Sequence, residues 1–150
     1  MDNVGSPENN LGIFPGVVWG SILEIADHPE PGWGMAAIDI VNTTHPMTDS
    51  ALERITMYYQ RGCFLELTET NLVTILAVYN ATGKIAIATC QYSQGRVFIK
   101  GTHPEIEEDD NRDGVDYPVP ESGPYDPESD WPLLRDAVKW VSRNNCSQTS

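Results

Sequence analysis

Apolar and polar positions alternate with period two over much of the middle of the chain, and that rhythm predicts strands. Arg54-Ile-Thr-Met-Tyr-Tyr59 alternates throughout, and Met35-Ala-Ala-Ile-Asp-Ile-Val41 alternates near its end, so both suit half-buried strands. From Leu72 the pattern tightens into three runs, Val73–Tyr79, Lys84–Tyr92 and Arg96–Gly101, separated by glycine-containing turns at 80–83 and 93–95. Runs joined by such turns predict an antiparallel meander whose last strand is paired inside a sheet. Leu11 to Ser21 mixes apolar residues with Gly12, Pro15, Gly16 and Gly20 and reads as a glycine-punctuated loop. The period changes to that of a helix only near the end. Asp130 is placed to cap it, Pro132 falls in its first turn, and Leu133, Leu134, Ala137, Val138 and Val141 form an apolar face through Arg143.

Composition adds boundaries. A chain of 150 residues with 40% hydrophobic content has the size of one domain, and 12 Gly with 11 Pro imply many turns. Residues 1–10 read as a disordered lead-in, 11–143 as the domain and 144–150 as a frayed tail. Within the domain, residues 106–130 form an acidic, proline-rich loop. Eleven of the 22 acidic residues fall between Glu105 and Asp130, with Arg112 the one base there.

A formal net charge of −13 repels phosphate backbones and anionic lipid surfaces, which excludes nucleic acid and membranes as expected partners. The polar first ten residues do not form a secretion signal, and no run approaches 18 apolar residues. Three widely spaced cysteines, Cys63, Cys90 and Cys146, suggest neither a disulfide framework nor a zinc site and fit a reducing, cytoplasmic setting. Asn42-Thr43-Thr44, Asn80-Ala81-Thr82 and Asn145-Cys146-Ser147 are glycosylation sequons that carry weight only in a secreted chain. No cofactor is implied.

The chemistry concentrates in Gly95-Arg96-Val97-Phe98-Ile99-Lys100-Gly101-Thr102-His103-Pro104-Glu105, a strand that ends in a histidine and a carboxylate two residues apart. An imidazole serves as general base near neutral pH when its tautomer is held, and a nearby carboxylate is the usual holder. His103 and Glu105 are therefore a candidate base and orienter; the alternative is a strand-end turn whose carboxylate simply faces solvent. No Gly-x-Cys-x-Gly or Gly-x-Ser-x-Gly elbow occurs to supply a nucleophile. Cys63 is a substitute candidate, although it follows Gly62 between two strand-like runs instead of opening a helix. Asp109, Asn111 and Asp113, followed by Gly114, match the first half of a calcium loop, but the twelfth position is Pro120 where a Glu belongs, and a solvated acidic loop is the competing account. His28 and His45 each precede a proline and read as turn residues, whereas Trp19 and Trp33 sit among glycines where they could line a pocket.

Three segments together carry a family likeness: Ile55-Thr-Met-Tyr-Tyr-Gln-Arg-Gly-Cys63, Gly95-Arg-Val through Gly-Thr-His-Pro-Glu105, and Ser129-Asp-Trp-Pro-Leu-Leu134. With Leu11-Gly-Ile-Phe-Pro-Gly-Val-Val-Trp19, they resemble the glutamine-amidotransferase-like domain at the N-terminus of eukaryotic biotin–protein ligases and in stand-alone fungal relatives. The resemblance spans about residues 11–143. It implies an α/β, flavodoxin-like domain of the class I amidotransferase type, with His103 as base and Glu105 as the residue orienting it. The family's elbow cysteine lies upstream of the matching segments, so this chain is expected to represent the C-terminal portion of the fold, catalytically inactive alone. A truncated doubly wound sheet exposes strand edges, which implies self-association or a protein partner covering an edge. The ligase domain has no counterpart, and the resemblance gives no support for biotin transfer by this chain.

Overall fold

A computed structural model of the chain describes residues 12–20, 22, 33–106 and 129–143. Within them are seven strands and one α-helix: β1 (Gly16–Trp19), β2 (Trp33–Ile40), β3 (Arg54–Gln60), β4 (Phe64–Leu67), β5 (Val73–Tyr79), β6 (Ile85–Tyr92), β7 (Gly95–Lys100) and α1 (Trp131–Ser142), with a 3₁₀ turn at Thr70–Leu72. The class is α/β and strand-rich. The strands form one sheet in the order β1-β4-β6-β5-β2-β3, with β7 also paired to β6.

The meander forms where alternation placed it. β5 and β6 run antiparallel from Val73 opposite Cys90 to Val78 opposite Ile85, with a bulge around Ala77. β6 and β7 pair from Tyr92 opposite Gly95 to Ile87 opposite Lys100 across a two-residue turn, in which Ser93 adopts a positive φ of 55°. Strand β7 has no second strand partner among the described residues, so the strand leading to His103 is an edge strand, not the interior one that the meander pattern predicts.

Residues 16–19 also differ from expectation. The predicted loop is in fact strand β1, because pairing with β4 from Gly16 opposite Leu67 to Trp19 opposite Phe64 satisfies its backbone. Alternation could not show this, since only four residues pair and Gly and Pro surround them. Every described pairing is antiparallel, whereas a flavodoxin-like sheet is mostly parallel.

One side of the sheet buries Ile38, Ile55, Met57, Tyr59, Leu76, Tyr79 and Ile87 with Leu133 and Ala137 of α1. Asp130 stands at the N-cap of α1, but its side chain makes no capping hydrogen bond. A smaller cluster of Phe14, Leu65, Ala88 and Cys90 forms separately. The sheet curls: beyond the end of β7, the His103 amide donates to the Tyr58 carbonyl of β3 at 2.8 Å. That bond brings the far strand of the sheet to the segment carrying the candidate base.

Candidate functional site

Two glycines make this junction possible. A Cβ on Gly101 would overlap the Cys63 carbonyl and the Tyr79 hydroxyl, and one on Gly62 would overlap the Gly101 carbonyl and the Tyr59 ring. The β3–β4 loop therefore lies backbone to backbone against the chain leaving β7, a separation open only to residues without side chains. Two buried tyrosines hold the loop there. Tyr59 donates its hydroxyl to the Gly62 carbonyl at 2.8 Å, and Tyr79 donates to the Cys63 carbonyl at 2.7 Å. Their rings meet edge to face with centroids 5.7 Å apart. Burial pushes the Tyr79 phenol far above its ordinary pKa, so it stays a hydroxyl donor at any physiological pH.

Above this support the chain turns. The His103 carbonyl accepts from the Ile106 amide at 3.1 Å, closing a four-residue turn with Pro104 second and Glu105 third, the place in a turn that proline's fixed φ favours. Pro104 is fully buried, as is Thr102, and both anchor the turn from beneath. The Thr102 hydroxyl contacts the Met57 sulfur at 3.1 Å, while the Tyr58 ring tilts against His103 with centroids 6.2 Å apart.

The turn brings the two side chains together. His103 Nδ1 lies 2.9 Å from Glu105 Oε1, and Lys100 Nζ lies 2.8 Å from Glu105 Oε2 while donating to the Thr102 carbonyl at 2.9 Å. Burial alone would raise the Glu105 carboxyl, but the hydrogen bonds from Lys100 and then His103 outweigh it and hold the group below its ordinary value. An ionised carboxylate only accepts, so Nδ1 carries the shared hydrogen. In a neutral ring held this way, Nε2 is the nitrogen with a lone pair. Lys100 is the member of this group that spacing did not single out; a lysine ending a strand three residues before the histidine was the available signal.

Cys63 lies nearby in a different role. Its thiol donates to the Lys100 carbonyl at 3.7 Å, and burial pushes its pKa up, the reverse of what a reactive thiolate needs. Cys90 is buried, its thiol directed at the Ile13 carbonyl 3.7 Å away. His45 belongs to a turn: its Nδ1 accepts from the Met47 amide at 3.3 Å, its ring meets Trp140 at 5.1 Å, and burial followed by the Arg96 charge lowers its pKa. Trp19 stacks on Phe64 at 6.4 Å.

Asp109, Asn111 and Asp113 of the calcium-loop expectation lie outside the described residues, as do His28, Cys146 and the Trp33 side chain. Among the described residues no three His, Cys, Asp or Glu gather as a metal ion would require, and no helix is long and apolar enough to cross a membrane.

No curated protein and no solved structure matches the chain. A family model does, over residues 2–118, a span that takes in all seven strands and the His103–Glu105 turn and ends before α1. By that match the chain belongs to the family described as biotin-protein ligase, N terminal.

Proposed function

We propose that this domain carries the base half of an amidotransferase-like centre: His103 accepts a proton through Nε2, Glu105 fixes the ring, and the attacking group comes from another segment or a partner. The observation that carries this reading is the 2.9 Å contact of His103 Nδ1 with Glu105 Oε1, made by a turn whose backbone is held on both sides. In the step proposed, the thiol of the attacking group gives its proton to Nε2 as sulfur bonds to an acyl carbon and the carbonyl π pair moves onto oxygen; collapse of that oxyanion breaks the bond to the leaving amine or alcohol, which takes the proton from Nε2. Alone, the chain is then a non-catalytic module. Descent from a class I amidotransferase-like fold accounts for the His-Pro-Glu ending, while the described strand pairings, all antiparallel, do not add to it.

Supplying the missing nucleophile tests this. With a small soluble thiol and an activated aryl ester, the chain should speed thiolysis about tenfold over its His103→Ala variant, well short of the roughly 10²–10⁴-fold of a fully positioned base. Equal rates at every thiol concentration would reject the proposal.

An interaction role is favoured by a separate observation. Trp131, Val138 and Val141 of α1 are exposed and share one helical face with Leu134, beside the face that buries Leu133 and Ala137. An exposed stripe of this kind fits a protein partner. Sedimentation of the chain as a monomer at high micromolar concentration would count against a second copy as that partner.

A further inference from the structure

Lys100 is withdrawn in a way the other described lysine with a carboxylate partner is not. Its side chain is 23% exposed, against 56% for Lys139, which pairs with Asp136 on the helix surface. Its ammonium meets two oxygens of different kinds: the Thr102 carbonyl, fixed in buried backbone, at 2.9 Å, and Glu105 Oε2 at 2.8 Å. The first contact fixes where the ammonium sits, and the second uses that position to fix the carboxylate. With Oε2 taken by Lys100, Glu105 is turned so that Oε1 meets His103 Nδ1. Glu105 is 43% exposed, and without that hold it has solvent-facing rotamers open to it that do not reach the ring.

We infer that Lys100 is the positioning residue of this site, tying the Glu105 carboxylate to the backbone carbonyl of Thr102 so that His103 is kept in the Nδ1-protonated tautomer. The inference rests on the base reading of His103 and adds to it the group that sets the tautomer. Lys100 acts through Glu105 and touches no reacting atom. The same residue also accepts the Cys63 thiol on its carbonyl, so its backbone and its side chain link the β3–β4 loop to the turn.

Nitrogen-15 NMR of the imidazole in the full 150-residue chain tests this. Wild type should show Nδ1 protonated and Nε2 bare; Lys100→Met should lose that pattern to the averaged signals of a mobile ring, and Lys100→Arg should keep it. A Lys100→Met protein with the wild-type pattern overturns the inference while leaving the base reading intact. Averaged signals in wild type itself overturn the base reading and this inference with it. A second measurement needs no variant. The chain has three lysines, Lys84, Lys100 and Lys139, and the ammonium protons of Lys100 should exchange with water severalfold more slowly than those of Lys139. Equal exchange rates would remove the bridge on which the inference stands.

Discussion

Among the described residues two carboxylates, Asp136 and Glu105, each lie within ion-pairing distance of two basic side chains, and only Glu105 belongs to the proposed site. Asp136 on α1 is gripped by Arg135 at 3.0 Å and Lys139 at 3.1 Å, and those bonds, Arg135 first, lower its pKa to about 2. Glu105 is gripped by Lys100 and His103 at similar distances, and its carboxyl is also held down. Depression of the pKa therefore does not distinguish them. What differs is which partner is anchored: around Asp136 the cations are flexible and more than half exposed, whereas around Glu105 the lysine is tucked against buried backbone. A helix-surface cluster of the first kind is general solubility chemistry. The second is the arrangement on which the proposed orienting role rests.

Replacing Gly101 should separate the two regions most strongly. Gly101→Ala puts a methyl where the Cys63 carbonyl and Tyr79 hydroxyl lie, overpacking fixed backbone, and should cost about 3 kcal/mol in urea unfolding. The titration of Asp136 should be unmoved, and a shift there would show that the two clusters are not independent. Tyr79→Phe is milder. It leaves the half-buried Cys63 carbonyl without the donor now 2.7 Å away, which should cost about 1 kcal/mol, and a double-mutant cycle with Gly62→Ala should show an unequal loss if the two act on one junction.

The pH dependence of Glu105 gives a smaller effect with a definite sign. Because its folded pKa lies below the ordinary 4.5, its contribution to stability is present above that value and is lost as pH falls through the folded pKa. Glu105→Gln should therefore be less stable than wild type at pH 7 by about 0.5 kcal/mol, in the range of partly exposed ion pairs, and the gap should close as pH drops below about 4.5. A gap that widens on acidification contradicts the assignment.

How far these regions were legible in the sequence follows from the range of the interactions that build them. The runs at 73–79, 85–92 and 95–100 declared themselves through alternation and turn residues, because each pairs with its chain neighbour. β1 did not, since its partner β4 lies about fifty residues away. The His103–Glu105 pair was legible because a turn with Pro104 joins residues two apart. Lys100, Tyr59 and Tyr79 were not: in a strand, a lysine reads as solvated and a tyrosine as core, and nothing local shows that the Tyr79 hydroxyl meets a carbonyl sixteen residues earlier.

The smallest effect belongs to the helix cluster, and it sharpens the comparison by its near absence. Asp136→Asn removes a carboxylate from two exposed cations whose attraction works largely through solvent, so urea unfolding at pH 7 should barely distinguish it from wild type. Salt should act the same way, since raising it from 0.1 to 1 M shortens the screening length from about 10 to about 3 Å. The Asp136 carboxyl, lowered to about 2 by Arg135 and then Lys139, should move toward its ordinary 3.8 as salt rises, whereas Glu105, bonded to a lysine that water reaches poorly, should move less. If carbon-13 titrations find both carboxyls shifting equally, the anchoring of Lys100 confers no distinction on Glu105, and the turn is as ordinary a surface as the helix.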